Sequence, residues 1–202
     1  MIDPSNGYEE HAETYMRWRH PRIGLDIVRE WAAEFPPGAA VLELGCGHGV
    51  ISQVLVDAGV TLYAVDASRT LIEVFRERFP AVPTKCAAAE DAPYFDRAFD
   101  GVIAVGLIFL LSKEAQQIVL TRVADALNPG GRFLFTAPRQ ACMWTDDLTK
   151  RDSRSLGIEE YETLLRELGL HIDSCWTDEG GNHYYFVSKR LDERLDGSSS
   201  FA

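Results

Sequence analysis

Short apolar runs alternate with amphipathic stretches over most of this chain. Runs of strand type occupy residues 41–44, 61–65, 82–87, 101–105 and 132–136. Between them lie segments whose apolar residues recur at helical spacing. The run at 101–105 is continuously apolar, as is typical of a strand that is buried on both faces. This alternation predicts βα units that form a parallel sheet with right-handed crossovers.

Helix starts can also be read from the sequence. Ser68 and Ser112 each precede an amphipathic stretch and are predicted to cap the helices that follow. The predicted buried stripe of the second helix consists of Ala115, Ile118, Val119, Val123 and Ala126.

The pattern changes near the C-terminus. Residues 170–177 and 183–188 are strand-like and are joined by a turn that contains Gly180 and Gly181. Two such runs with a short glycine turn predict an antiparallel hairpin.

A chain of 202 residues is long enough for one domain with a sizeable core, which we predict to span residues 1–191. Residues 1–36 carry aromatic side chains among charged ones, with Ile27 and Trp31 at helical spacing. They are predicted to form an N-terminal helical cap across the open end of the sheet. Residues 192–202 are polar and are predicted to be a disordered tail.

Charge and composition exclude some classes of partner. The chain has 20 basic and 31 acidic residues, a net charge of −11, whereas affinity for nucleic acid comes mainly from Lys and Arg. No nucleic acid partner is therefore expected. The longest apolar run is too short to span a bilayer and no signal peptide is visible, so no membrane is expected either. Four cysteines without paired spacing fit reduced thiols in a cytoplasmic protein.

A loop with glycine at every second position follows the first strand. Gly45, Gly47 and Gly49 provide backbone freedom and close access for a ligand, and the next helix begins with unpaired N–H groups. A dinucleotide fingerprint needs a further glycine three residues after the second one. Val50 stands at that position, so the loop does not match a dinucleotide site.

Two acidic residues narrow the choice of ligand. Glu43 lies two residues before the loop, and Asp66 ends the second strand. An acid so close to the loop repels a pyrophosphate but attracts a cation. Asp66 is placed where a carboxylate accepts two ribose hydroxyls. Together they predict a nucleoside that carries positive charge.

With these residues the chain resembles the class I S-adenosylmethionine-dependent methyltransferases. The resemblance rests on residues 43–49, 65–68, 99–100 and 127–131, and it covers roughly residues 8–189. It implies an α/β fold with a doubly wound, mostly parallel seven-stranded sheet that ends in the C-terminal antiparallel hairpin. It also implies S-adenosyl-L-methionine as cofactor and in-line transfer of its methyl group to a small-molecule acceptor.

The resemblance implies roles for particular residues. The methionine half of the cofactor would lie on the glycine loop, the ribose on Asp66, and the adenine in the bend after the third strand. The aspartate that similar enzymes use for adenine corresponds to Ala88 in this chain, so a backbone group, Glu90 or Asp91 must supply that contact. The residues expected to bind the cofactor are Glu43, Gly45, Cys46, Gly47, Asp66, Ala67, Ser68, Ala88, Ala89, Glu90, Gly106 and Leu107, with Tyr15 and Arg22 from a lid.

The acceptor is less clear from the sequence. Trp144, Asp146 and Asp147 follow the fifth strand and form either an aromatic and acidic acceptor pocket or an ordinary surface loop. Asp146 and His183 are the candidates for a general base, and no metal site is predicted. Two other functions stay open: a non-catalytic protein that binds the cofactor or its product S-adenosylhomocysteine, and a protein or RNA methyltransferase that acts with a partner.

Overall fold

One seven-stranded sheet organises the computed structural model, which describes residues 3–19 and 22–191. The order across this sheet is β3-β2-β1-β4-β5-β9-β8, with β1 to β5 parallel and β9 antiparallel to both of its neighbours. The predicted fold class is therefore confirmed, including the hairpin of β8 and β9. The strands within the described residues are β1 (Ala40–Leu44), β2 (Thr61–Asp66), β3 (Thr84–Cys86), β4 (Phe99–Ala104), β5 (Leu127–Thr136), β6 (Cys142–Thr145), β7 (Asp152–Ser155), β8 (Leu170–Thr177) and β9 (His183–Lys189).

Helices cover both faces of the sheet because successive residues of a strand point to opposite faces. Val41 belongs to a buried cluster that includes Ile27 and Phe75, whereas Leu42 belongs to a second cluster that includes Val119. The helices in the described residues are α1 (Ala12–Trp18), α2 (Leu25–Ala32), α3 (Val50–Asp57), α4 (Arg69–Arg78), α5 (Lys113–Ala126) and α6 (Ile158–Glu167), with a short 3₁₀ helix at Ile108–Leu110. In this part of the chain none of them is long and apolar enough to cross a bilayer, and the longest has 14 residues.

The two predicted serine caps are present. Ser68 Oγ accepts a hydrogen bond from the Leu71 N–H, and Ser112 Oγ accepts one from the Ala115 N–H, both at 3.2 Å. Each bond satisfies one of the free N–H groups in the first turn of a helix.

The buried stripe of α5 differs from the prediction. Ile118 is 48% exposed, while Gln116 and Leu120 are buried. Gln116 is stable there because both polar atoms of its amide are hydrogen-bonded: Nε2 donates to the Leu111 and Arg154 carbonyls, and Oε1 accepts from the Tyr161 hydroxyl. A bonded polar side chain thus takes a position that hydrophobic spacing assigns to an apolar one.

A second sheet, of two strands, was not predicted. β6 and β7 pair antiparallel, and no strand was predicted in the segment that contains them, where the sequence suggested an acceptor pocket or an ordinary surface loop. Its residues are mostly polar or exposed and have no regular alternation, so the sequence gives little strand signal. The hairpin lies beyond β5, at the edge where parallel strands end.

The predicted N-terminal cap contains α1 and α2. Trp31 and Ile27 are buried against the sheet, and Gly101 leaves the space that the ring of Phe35 occupies, since a Cβ there would lie 2.6 Å from Phe35 Cζ. Met1, Ile2, His20 and Pro21 lie outside the described residues, as does the predicted tail at 192–202.

Asp100 connects two segments at the edge of the sheet where the parallel strands begin. Its Oδ2 accepts from the Ala40 N–H at 2.9 Å, and its Oδ1 accepts from Asn128 Nδ2 at 2.8 Å. The side chain thus joins the start of β1 to the turn that begins β5. This gives a structural role to a residue that contributed to the family resemblance.

We predict that Asp100→Ala lowers the free energy of unfolding by about 1–3 kcal/mol, because two donors lose their acceptor. Urea denaturation of the ligand-free protein measures this change. Asp125→Ala, at an exposed position on α5, is the control and should change stability by less than about 0.5 kcal/mol. Equal effects of the two substitutions would contradict the assigned role.

Candidate functional site

A cavity of about 460 Å³ opens at the carboxyl ends of the parallel strands. It lies at the point where the strand order reverses, since β1 is flanked by β2 on one side and β4 on the other. Open α/β sheets bind ligands at such a position. Its walls come from the glycine loop, the end of β2, the bend after β3, the segment after β4, the loop between β6 and β7, and the N-terminal segment.

The glycines of the loop serve different purposes. A Cβ on Gly49 would lie 2.4 Å from the ring of Phe79, so this glycine permits close packing of α3 against the end of α4. Gly47, with φ of +54°, lies beneath Tyr15, and a Cβ would stand 3.4 Å from that ring. Glycine adopts such positive φ values at little cost. Gly49 thus permits close helix packing, and Gly47 shapes the floor of the cavity.

Glu43 is buried at the base of the cavity, with 3% of its surface exposed. Its Oε2 accepts a hydrogen bond from Ser52 Oγ at 2.5 Å. Burial raises the pKa of Glu43 to about 8; the Ser52 bond opposes this shift and the nearby Asp66 adds to it. Without a cation beside it, the carboxyl group is therefore largely protonated at neutral pH, and a bound cation would favour its ionised form.

Asp66 connects the end of β2 to the glycine loop. Its Oδ2 accepts from the Gly47 N–H at 2.7 Å, and its Oδ1 accepts from the Ser68 N–H at 2.8 Å. Burial raises the pKa of Asp66, and the two backbone bonds oppose this. Each oxygen keeps a second lone pair for a hydroxyl donor. Glu43 and Asp66 thus face the same cavity.

The bend after β3 brings Ala89 and Glu90 to the cavity wall. Glu90 Oε2 is buried and has no hydrogen-bond partner within the protein, which suits a ligand that donates a hydrogen. Ala88 is buried and is not among the lining residues. Ser68 is also behind the wall, where it caps α4 and supports Asp66 through its backbone.

The N-terminal segment covers the cavity and is attached on two sides. Glu9 accepts hydrogen bonds from Ser68 Oγ at 2.5 Å and from the Thr70 N–H at 3.0 Å, at the start of α4. Asp3 pairs with Arg151 at 3.0 Å, next to the β6–β7 hairpin. The segment therefore bridges the two ends of the cavity.

Tyr15 contributes to the cavity, as predicted for the lid. Its ring makes edge contacts with Tyr8 and His48, with centroids 5.2 and 5.7 Å apart. Arg22 is not among the lining residues, whereas Arg19 is. His48 was not identified from the sequence; its Nδ1 is buried without a partner, and burial together with Arg78 and Arg19 lowers its pKa.

The opposite end of the cavity is lined by Phe109, Asp146, Asp147 and Leu148. The ring of Trp144 contacts Phe109 with centroids 5.5 Å apart, behind the lining. Asp146, one of the two candidate bases, thus faces the cavity with Gly106 and Leu107. The loop between β6 and β7 therefore forms part of the cavity wall.

His183, the other candidate base, is not among the residues that line the cavity. Its Nδ1 lies 2.9 Å from Thr177 Oγ1, within the β8–β9 hairpin. Its strand neighbour Tyr184 lines the cavity instead, because successive side chains of a strand alternate between faces.

Several lining residues come from parts of the chain without a motif. Thr136 Oγ1 accepts from the Gly106 N–H at 2.7 Å and fixes the end of β4 to the end of β5. Tyr8, Asn182 and Tyr184 also line the cavity. Only tertiary contacts bring these residues together, so local sequence carried no signal for them. Among the described residues, no group of three or more His, Cys, Asp or Glu side chains has an arrangement that could hold a metal ion.

Comparison with known proteins agrees with this geometry. Residues 41–131 match the family described as methyltransferase domain. The chain is 34% identical over 139 residues to the cypemycin N-terminal methyltransferase of a Streptomyces species, covering 65% of this chain and 56% of that protein. It is 26% identical over 189 residues to a probable S-adenosylmethionine-dependent methyltransferase of Mycolicibacterium smegmatis, covering 92% and 69%. It therefore spans just over half of the first relative and about two thirds of the second.

Solved structures share the fold. Magnesium protoporphyrin IX methyltransferase of Synechocystis PCC 6803, crystallised with S-adenosylmethionine, superimposes with a TM-score of 0.72 at 15% identity, over 94% of this chain and 98% of that one. The resemblance inferred from the glycine loop and the two acids is thus confirmed. The names of other relatives refer to different acceptors, among them a fatty acid and a tRNA.

We predict that Glu43→Gln makes the stability of the ligand-free protein less dependent on pH. The pKa of Glu43 is raised from 4.5 to about 8 on folding, so the folded state binds more protons in that window and wild-type stability falls as pH rises through it. Glutamine removes this slope. The free energy of unfolding of the Glu43→Gln variant, relative to that of the wild type, should therefore be most favourable near pH 8. This difference should shrink towards pH 5, and chemical denaturation at each pH measures it.

Glu10→Gln, at an exposed position in the N-terminal segment, controls for the loss of one carboxylate. If the Glu43 variant followed the pH dependence of the wild type across this window, the buried carboxyl group would not have the raised pKa on which the prediction depends.

Proposed function

We propose that this chain, whose residues 41–131 match the family described as methyltransferase domain, binds S-adenosyl-L-methionine and transfers its methyl group to a small-molecule acceptor. One observation carries this proposal: Glu43 and Asp66 face a single cavity above the glycine loop. A nucleoside with positive charge suits both acids, because a cation favours the ionised form of Glu43, whereas a pyrophosphate brings only negative charge to the two acids.

The residues fit such a ligand along its length. The backbone of Gly45, Cys46 and Gly47 would contact the methionine half, and Glu43 would lie near its ammonium group. Asp66 would accept the ribose hydroxyls. The unpaired Oε2 of Glu90 supports a contact with the exocyclic amine of adenine, the contact for which the position of Ala88 offers no acceptor side chain.

Other residues would shape the space around the ligand. Ala67 and Ala89 would flank the nucleoside, Gly106 and Leu107 would lie under the sulfur, and Tyr15 would close the site from above. We assign Ser68 and Ala88 supporting roles behind the wall. Arg19, which lines the cavity, is a better candidate than Arg22 for the carboxylate of the methionine half.

The bound cofactor supplies a methyl group that its sulfonium already activates. The chain therefore has no need to form a covalent intermediate, and its contribution is to position the reactants and to exclude water. The N-terminal segment suits this task, because Glu9 holds it to α4 and Asp3 holds it to Arg151 near the hairpin.

A small acceptor is favoured by the covered cavity and by the net charge of −11, which opposes binding to nucleic acid. The relative from Streptomyces is named as a methyltransferase of the N-terminus of cypemycin. Other relatives are named for tRNA. A second candidate function is therefore that of a protein or RNA methyltransferase whose substrate recognition depends on a partner. A third, a non-catalytic binding protein, would bind the cofactor but show no turnover with any acceptor.

We predict that calorimetric titration detects binding of S-adenosyl-L-methionine and S-adenosylhomocysteine but not of NAD. Asp66→Ala should weaken binding of both by about 1–3 kcal/mol, because the acceptor for the ribose hydroxyls is removed. Asp57→Ala, at the exposed end of α3, is the matched control and should leave both affinities unchanged.

The melting temperature of each variant separates loss of binding from loss of fold. Binding of NAD alone would refute the proposed function, and an Asp66 variant with wild-type affinity and fold would remove the ribose assignment.

A further inference from the structure

The end of the cavity that is left for the acceptor is acidic. Asp146 and Asp147 line it together with the ring of Phe109 and with Leu148. Among the described residues that line the whole cavity, Arg19 is the one Lys or Arg side chain. In the proposed binding mode it belongs to the cofactor end. An anionic acceptor would therefore enter a space whose nearest fixed charges repel it.

Asp146 is held in a defined orientation. Its Oδ1 accepts hydrogen bonds from the Leu148 N–H at 3.0 Å, from the Thr149 N–H at 2.7 Å and from Thr149 Oγ1 at 3.1 Å. These bonds fix the turn between β6 and β7. Because the carboxylate is fixed by its own loop, it faces the cavity without needing a ligand to order it.

Tyr8 lies against the same carboxylate, from the N-terminal segment. Burial, followed by the charge of Asp146, raises the pKa of its hydroxyl group. The phenol therefore stays protonated at neutral pH, so it can donate a hydrogen bond but does not act as a base. This end of the cavity thus combines a fixed negative charge with a neutral hydroxyl and an apolar wall.

We infer that the methyl acceptor is an amine, and that Asp146 is a catalytic residue that stabilises the positive charge which develops on its nitrogen. This inference rests on the proposed function. It goes further than that function because it names the class of acceptor and gives Asp146 an electrostatic role in place of the role of general base that the sequence suggested.

The movement of charge in the reaction supports an amine. The acceptor enters as an ammonium ion and first gives one proton to water, which frees the lone pair on nitrogen. That lone pair then forms the new N–C bond while the electron pair of the C–S bond returns to sulfur. Positive charge therefore moves from sulfur to nitrogen, and the product is an N-methylammonium ion that later loses its proton to water. A carboxylate at the acceptor end is most useful in the transition state of such a reaction.

Carboxylate acceptors have the opposite requirement. When a carboxylate attacks, its negative charge and the positive charge of the sulfonium cancel, so a neutral ester forms and a second carboxylate nearby gives no stabilisation. Before the reaction, Asp146 and Asp147 would repel such a substrate. Alcohols and phenols would need a base to take up their proton. Tyr8 does not provide one, so Asp146 would have to act as a proton acceptor, and turnover of the alcohols in the test below would indicate that role instead.

The test compares acceptors on matched scaffolds. Protein saturated with S-adenosylhomocysteine is titrated with 2-phenylethylamine, 3-phenylpropanoate and 2-phenylethanol, and with hexylamine, hexanoate and hexanol. Turnover with S-adenosyl-L-methionine is then measured for the same six compounds. We expect the amines to bind at least tenfold more tightly than the carboxylates and to be the compounds that accept methyl groups.

Asp146→Asn is the informative variant, because its amide oxygen can still accept the hydrogen bonds of the turn. It should weaken amine binding at least tenfold, improve binding of the carboxylates, and leave the affinity for S-adenosylhomocysteine and the melting temperature unchanged. Asp152→Asn, at an exposed position on β7 outside the cavity, is the control and should change none of these. A purely structural role of Asp146 would not reverse the order of acceptors.

Carboxylates that bind as well as amines, amine binding that does not respond to Asp146→Asn, or failure of every amine to bind would overturn the inference. A protein that does not bind S-adenosylhomocysteine at all would instead refute the proposed function, so the two failures are distinguishable.

Discussion

The interaction on which the site depends is the pair of backbone hydrogen bonds to Asp66. Gly47 donates to one oxygen and Ser68 to the other, so one side chain fixes the glycine loop, the end of β2 and the start of α4. Glycine lets the loop adopt its positive φ values at little cost. With the loop fixed, Glu43 beneath it faces the same cavity as Asp66, and this shared cavity defines the ligand that the chain suits.

Acidic side chains lie at both ends of the cavity. At the end that we propose for the cofactor, Glu43 is buried with a raised pKa, which a bound cation would lower. At the end that we propose for the acceptor, Asp146 is fixed by its own turn and suits a reaction that moves positive charge towards it. The N-terminal segment covers both ends through Glu9 and Asp3. The cavity, like the chain as a whole, thus carries more acidic than basic side chains.

Local signals in the sequence predicted the sheet, the hairpin of β8 and β9 and the serine caps, because strand periodicity, glycine turns and caps depend on neighbouring residues. They also located Glu43 and Asp66 at the ends of adjacent strands. The burial of Gln116, the β6–β7 hairpin and the inward position of His48 depend on contacts between distant segments. For the same reason, Arg19 and Tyr184 line the cavity where Arg22 and His183 had been expected.

A crystal structure of the protein with S-adenosylhomocysteine tests the central claim most directly. The account predicts that both ribose hydroxyls lie within hydrogen-bonding distance of the Asp66 carboxylate and that the amino group of the ligand lies beside Glu43. Ligand density elsewhere, or a ribose turned away from Asp66, would contradict it.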